Sequence, residues 1–387
     1  MARIVYGVQG DALGHVSRAL ALAEDMPHHE FLFLGGGKAL ELRANGYRVE
    51  EVPLIRTYYA ENKVRIAATV YHTLKVVLDL PRTTRRVAKK LEQFQPDIVM
   101  SDYEYFAPRL AALLGIPCIS VDNQHFLTKC VAHHPMDQIA SRLMLSVPLL
   151  CLYNRADYHI ISTFFHLTPK DPLKTAVFPP ILKKEVRKLV SSEGDHVLVY
   201  QTSSTFEKIA ECLAQLPHRC ILYGCGERTS PANLIYKAPS EREFLEDLAS
   251  CRYVIANGGL NVLAEALYLG KPVLSFPIHF AYEQFFNAYM LSEHGYGDYC
   301  LDSEPDSGTI LRFEEQLDLF RANIAAGSFL GNDAVIACLE EIIRNGPAEA
   351  FRTKGHSADT ASPANAGRSN LPLQLNECGT KKRGIEQ

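Results

Sequence analysis

Tyr253-Val254-Ile255-Ala256-Asn257-Gly258-Gly259-Leu260-Asn261-Val262-Leu263-Ala264-Glu265-Ala266-Leu267 reads as a short buried strand, a pair of glycines and a helix starting near Asn261. A strand that runs through glycines into a helix is the repeating unit of an open parallel sheet, whose ligands lie beyond the carboxyl ends of the strands. The glycines let a ligand approach the backbone, and the helix start offers N–H groups with no intrahelical acceptor, a setting suited to phosphate. Glu265, four residues after Asn261, shares its helix face and can accept the two hydroxyls of a ribose. Taken alone, the same residues also fit a plain tight turn followed by a solvated glutamate.

The alternation extends in both directions. His196–Tyr200, Cys220–Tyr223, Leu234–Tyr236 and Val273–Phe276 read as further short strands of the second half. In the first half, Ile4–Gly7, Phe31–Leu34, Val49–Val52, Asp97–Ser101 and Pro117–Val121 are apolar enough to be buried on both faces, with helical stretches at Val16–Asp25, Arg65–Phe94 and up to Leu114. A proline-rich bridge (Thr168-Pro169, Asp171-Pro172, Phe178-Pro179-Pro180) suits a linker. The expected class is α/β, with one Rossmann-like domain over 1–166, a linker over 167–185 and a second such domain over 186–345. After Gly346-Pro347 the chain, rich in Ala, Ser, Asn, Gly and Lys, reads as a disordered tail over 346–387.

The composition narrows the field. A chain of 387 residues suits two or three domains, and 47% hydrophobic with 22% charged residues supplies a core. The net charge of −4 gives no global pull toward nucleic acid, so an anionic ligand must be held locally. The ten cysteines include no CxxC pair, and the amino terminus reads as a strand rather than a signal peptide. The most apolar stretch, Leu143–Tyr153, is about half a membrane span. A reducing cytoplasm is the expected compartment.

The first loop, Gln9-Gly10-Asp11-Ala12-Leu13-Gly14-His15, leaves the opening strand for a helix. Its GxxxG spacing is not the dinucleotide GxGxxG, and Gly35-Gly36-Gly37 stands where a ribose-binding acid would end the second strand. His15 is either a capping or buried histidine or a catalytic one. Asp102-Tyr103-Glu104 follows the Asp97–Ser101 strand; Asp102 can orient or replace the histidine, whereas Glu104 reads as a helix cap. Asp122 and His125 end the next strand and are expected to face the cleft, either positioning an acceptor hydroxyl or shaping a turn.

The run Gly258-Gly259, Glu265, Gly270-Lys271-Pro272, Pro277, Gln284 and Asn287 resembles the donor-binding signature of GT-B glycosyltransferases, most closely the family-28 subgroup of the peptidoglycan N-acetylglucosaminyltransferase. Gly14-His15-Val16-Ser17-Arg18-Ala19-Leu20 is similar to the GHxxRAL loop of its bacterial and archaeal relatives, and Val121-Asp122-Asn123-Gln124-His125 to their DNQH segment. The resemblance spans about residues 3 to 345. It implies two Rossmann-like domains facing a cleft, the first binding an acceptor and the second a nucleotide-diphosphate sugar, with UDP the implied nucleotide. By the same resemblance Glu265 holds the ribose, the Gly258-Gly259 turn the diphosphate, and Gln284 the sugar. Thr202-Ser203-Ser204 add donors to the phosphates, and the base lies against backbone near Lys237-Ala238-Pro239. His279 is implied to lie near the donor sugar, bonding to it or serving the structure. Asn261 departs from the Ser or Thr of many relatives, and as an asparagine it can still cap the helix.

Relatives invert the anomeric centre, so the resemblance implies one displacement assisted by one base. His15 is the first choice for that base and Asp11 the local alternative. No DxD triplet occurs, in keeping with metal independence, and the only co-substrate expected is the nucleotide sugar. The acceptor is left open among glycan, lipid-linked and small-molecule classes. Arg82, Arg85, Arg86, Lys89 and Lys90 follow an apolar run, and read either as a solvated helix face or as peripheral contact with anionic lipid. Rival readings are a nucleotide-sugar hydrolase or epimerase on the same fold, and a non-catalytic nucleotide-sugar-binding protein.

Overall fold

A computed structural model describes residues 1–358 except 57, 61–62, 202–205, 225, 227–231 and 302–306. The first half is built on strands β1 (Arg3–Val8), β2 (Glu30–Gly35), β3 (Arg48–Glu51), β4 (Ile98–Asp102), β5 (Cys118–Asp122), β6 (Tyr158–Ser162) and β7 (Thr175–Phe178). They form one parallel sheet in the order β7-β6-β5-β4-β1-β2-β3. Among its helices are α1 (Leu13–Asp25), α2 (Ile66–Leu91), α3 (Ala107–Leu114) and α4 (Ile139–Pro148). The second half carries β8 (His196–Tyr200), β9 (Arg219–Tyr223), β10 (Leu234–Tyr236), β11 (Tyr253–Ala256), β12 (Val273–Ser275) and β13 (Gly297–Tyr299) in the order β10-β9-β8-β11-β12-β13, also parallel. Helices α5 (Leu260–Tyr268) and α6 (Tyr282–Glu293) follow β11 and β12.

Three strands of these two sheets have no counterpart in the sequence reading. β6 carries His159 and Ser162 beside its two isoleucines and β13 has Asp298 at its centre, which weakens their apolar signal. β7 lies inside the proline-rich bridge, so that part of the expected linker is the edge strand of the first sheet; an edge tolerates neighbouring prolines because one side of its ladder is unpaired. Beyond it Asn332 accepts from Leu182 N–H at 2.9 Å and donates to Leu182 O at 3.0 Å, fastening the crossing chain.

The expected tail needs correction. Helix α7 (Asn332–Asn345) turns at Gly346, where φ is +84°, into a further helix, α8 (Pro347–Ala358). Proline is tolerated in the first helical turn because its missing N–H would have no intrahelical acceptor there. Both helices return to the first half: Val335, Leu339, Ile342, Ala350 and Phe351 share a core with Ile4, Tyr6 and Leu22, and the Phe351 ring stacks on Tyr158 at 5.1 Å. Two apolar anchors in a polar stretch leave no visible period, which is why α8 escapes a reading of composition. The rest of the expected tail, 359–387, lies outside the described residues.

Candidate active site

The register sets Asp102, the last residue of β4, beside Val8, the last of β1. Its carboxylate therefore reaches the first turns of α1. His15 Nδ1 lies 2.7 Å from one Asp102 oxygen; Arg18, nearly a turn further along, donates Nη2–H to that oxygen at 2.6 Å and Nε–H to the other at 2.7 Å. Asp102 is fully buried and Arg18 nearly so, whereas the His15 side chain keeps 13% exposure. A forked guanidinium–carboxylate pair is the geometry that makes such burial tolerable. Burial works against the Arg18 charge, but Asp102 outweighs it and raises its pKa above the ordinary value. With Asp102 accepting at Nδ1–H, the other ring nitrogen, Nε2, carries the lone pair. Tyr103 follows with φ of +44°, a strained value for a side-chain-bearing residue, and its ring stacks on His15 at 5.8 Å and on Tyr153 at 4.3 Å. Glu104 accepts from Phe106 N–H and Ala107 N–H and so caps α3. Asp11 is exposed in the loop ahead of α1.

The second mouth is made of backbone. Gly258 has φ of +103°, and a Cβ there would sit 2.6 Å from Gln284 O, so only glycine fits. Gly259 precedes α5 without a side-chain cap and with open space where its Cβ would be, leaving the first-turn amides uncovered. Asn261 does not cap the helix: it lies inside the first turn and donates Nδ2–H to Gly14 O at 3.1 Å, joining the two mouths. Glu265 is buried and lines a narrow pocket with Ser17, Arg18, Lys183 and Asn261. Burial pushes its carboxyl up to about 7, against the pull of the Lys183 ammonium.

Around this turn the side chains mostly serve the loops. Gln284 Oε1 accepts from Ile278 N–H at 3.1 Å, holding the loop that carries exposed His279. Ala238 is exposed just past β10, and Lys237 beside it is fixed to Asp247 at 2.7 Å. Thr202, Ser203 and Ser204 lie outside the described residues.

Asp122 and His125, expected at the cleft, bond to each other at the end of β5. Both are buried, and His125 Nδ1 meets Asp122 Oδ2 at 2.6 Å while Ser120 donates to the same oxygen at 2.5 Å. Burial opposes the Asp122 charge, but His125 and these hydrogen bonds hold its pKa well below the carboxylate range. Their neighbours instead span the halves. Gln124 donates to Glu283 at 2.8 Å, Asn123 to Asn287 at 3.3 Å, and Asn287 in turn to Gly258 O at 3.1 Å. The Phe126 and Phe286 rings stack beside them at 4.6 Å.

Among the described residues, the His, Cys, Asp and Glu groups close enough to share an ion are His28, His29 and Glu340. They lie at the amino end of the first sheet, away from the mouths. His29 Nδ1 accepts Ala2 N–H at 2.9 Å, so the neutral ring carries its proton on Nε2 and donates to Glu340 at 2.9 Å. That arrangement opposes metal ligation through Nε2.

Arg18 and Tyr103 have no assigned role in the sequence reading. The i, i+3 spacing of His15 and Arg18 carries a signal for the first; a strained backbone leaves none for the second.

The model of the family described as Glycosyl transferase family 1 matches residues 2–317. An uncharacterized glycosyltransferase of Methanosarcina acetivorans is 26% identical over 335 residues, covering 78% of this chain and 86% of that protein. One from Methanosarcina mazei is 26% identical over 336 residues, with 78% and 86% covered. Among solved structures, Acinetobacter baumannii MurG is similar at TM-score 0.58 and 17% identity, covering 88% of this chain and 100% of its own. Phytolacca americana UGT2, complexed with UDP-2fluoro-glucose and pterostilbene, is similar at TM-score 0.62 and 15% identity, covering 92% and 99%. With the family matched over most of its length and two parallel sheets meeting at their mouths, the chain belongs to glycosyl transferase family 1 and is a glycosyltransferase of GT-B fold.

Proposed function

We propose that the protein transfers a sugar from a UDP-sugar to an acceptor with inversion and without a metal. The observation that carries this reading is the His15–Asp102–Arg18 group bonded, through Gly14 and Asn261, to the head of α5. The diphosphate lies on the first-turn amides of α5 beside Gly259, whose open space admits it, and the amides offset the charge that builds as the leaving group departs. Glu265 accepts the ribose hydroxyls and Ala238 backbone meets the base. The acceptor hydroxyl lies against α1; its oxygen attacks the anomeric carbon as the carbon–phosphate-oxygen bond breaks, and its proton passes to His15 Nε2. Asp102 holds the ring and stabilises the imidazolium, while Arg18 fixes Asp102. One displacement at one carbon inverts it.

Support for the nucleotide comes from UGT2 and from Medicago truncatula UGT71G1, the latter complexed with UDP-glucose. The buried free thiols Cys118, Cys130, Cys220 and Cys251 support a reducing compartment such as the cytoplasm. No helix among the described residues is long and apolar enough to cross a membrane. The α2 face carrying exposed Tyr71, Leu74 and Leu78, next to Arg82, Arg85 and Lys89, supports peripheral contact with anionic lipid.

The test is UDP release from a panel of UDP-sugars and acceptors, with the product anomer read by NMR. Release that requires acceptor and gives the opposite anomer is expected. Equal release with water alone favours a hydrolase, an altered sugar still attached to UDP an epimerase, and binding without turnover a non-catalytic protein; each overturns the transfer reading.

A further inference from the structure

Asp102 and Tyr103 are consecutive, yet both meet His15. The carboxylate lies 2.7 Å from its Nδ1, and the Tyr103 ring stacks on the imidazole with centroids 5.8 Å apart and 18° between the planes. In an extended chain successive side chains point to opposite faces, so two neighbours at a strand end do not ordinarily reach one side chain. The alternation is broken at Tyr103, where φ is +44°. Such a backbone is disfavoured for an aromatic residue, whereas glycine would adopt it freely. What the strained turn delivers is the ring.

That ring is held in turn. Tyr153, buried at the end of the short helical stretch Leu149–Tyr153, stacks on Tyr103 at 4.3 Å with 7° between the planes. Tyr105 meets Tyr153 edge-on at 6.5 Å, and its hydroxyl donates to Pro53 O at 2.6 Å. His15, Tyr103 and Tyr153 thus form a chain of stacked rings rooted in the core of the first half.

A hydrogen bond at Nδ1 alone leaves an imidazole free to pivot about the line joining the two bonded atoms, and each pivot swings Nε2 on the far side of the ring. A second ring stacked on it removes that freedom. When the imidazole takes the acceptor proton it becomes a cation, and a cation over an aromatic face is attracted to it. That attraction is absent before the proton moves, so it acts on the transition state rather than on binding. We infer that Tyr103 is a positioning residue for the proton transfer: its ring, set by the strained turn, fixes the plane of His15 and with it the direction of Nε2. The inference rests on the transferase reading and adds to it a residue that acts through His15.

The test measures acceptor-dependent UDP release by Tyr103→Phe, Tyr103→Leu and Tyr103→Gly, each below its own thermal unfolding transition. Tyr103→Phe keeps the stack and is expected to retain most of kcat. Tyr103→Leu and Tyr103→Gly are expected to lower kcat about 10- to 100-fold with KM for donor and acceptor little changed; the glycine variant relieves the strain, so its loss belongs to the ring and not to the backbone. In a His15→Ala background Tyr103→Leu is expected to have no further effect on kcat, whereas a merely structural role would give the same loss in both backgrounds. A loss in Tyr103→Phe as large as in Tyr103→Leu, wild-type kcat in the leucine and glycine variants, or an equal loss with and without His15 overturns the inference. The stack is also read without turnover, from the imidazole proton resonances of His15, identified by their disappearance in His15→Ala. Tyr103→Leu is expected to shift them, because an aromatic face shields protons lying over it, and Tyr103→Phe to leave them nearly in place; unmoved resonances in Tyr103→Leu overturn the inference as well. Absence of turnover in wild type would instead remove the transferase reading, and these resonances would still decide whether Tyr103 sets the ring.

Discussion

The mouths of the two sheets meet through Asn261 and Gly14, but they are made of different material. The first stores charge: a buried carboxylate, a forked guanidinium and an imidazole within hydrogen-bond distance of one another. The second is almost bare, two glycines and the uncovered head of a helix, with Glu265 set deeper. A proton must be moved by a side chain with a lone pair, whereas a diphosphate is met by backbone amides that need no ordering on binding. The difference teaches where each half is fragile. The first mouth fails when a charge is left alone, the second when space is filled.

The largest effects should fall on the charged mouth. His15→Ala is expected to lower kcat by about 10²–10⁴-fold with donor KM little changed. Asp102→Ala, which strands Arg18, is expected also to cost about 3–5 kcal/mol of stability in denaturant unfolding. If both variants keep wild-type turnover, the assignment of the base is wrong.

The bare mouth should respond to volume. Gly258→Ala forces a Cβ against Gln284 O at a positive φ and is expected to destabilise the fold by about 1–3 kcal/mol. Gly259→Ala meets no protein atom, so it should leave stability within about 1 kcal/mol of wild type while lowering UDP affinity. Equal loss of stability in the two variants would erase the contrast.

Glu265 gives the bare mouth a pH dependence. Its carboxyl is raised to about 7 by burial, so as pH falls through that value it takes a proton and ceases to accept from both ribose hydroxyls. UDP affinity should then fall toward acid. Stability has the opposite sign: the folded state holds this proton more tightly, so the contribution of Glu265 is present in acid and is lost as pH rises to about 7. Glu265→Gln should flatten both profiles, checked by titrating UDP and unfolding across the range.

The smallest effect is expected at the α2 face, away from both mouths. Flotation with anionic against neutral vesicles should recover more protein on the anionic ones, and replacing Leu74 and Leu78 by Ser should reduce recovery without altering turnover in solution.

Much of the bare mouth was legible because its signal is local: a strand, two glycines and a helix adjoin in sequence, and only glycine suits the Gly258 backbone. The charged mouth was legible in its parts. His15 and Asp102 each end a strand–loop unit, but their bond depends on the register that sets β4 beside β1, across 87 residues of chain. Asp122 and His125 end a strand as Asp102 does, but they are buried and bonded to each other, while their neighbours Asn123 and Gln124 meet α6 of the other half, a contact that leaves no local mark. The same holds for α8, whose Phe351 finds its partner on β6.

The central claim, that the head of α5 and Glu265 hold the nucleotide of the sugar donor, is tested most directly by calorimetric titration of UDP into wild type and Glu265→Ala. Saturable binding by wild type, weaker by about tenfold or more in the variant, is the predicted result; no uptake by wild type, or equal affinity in both, would contradict it.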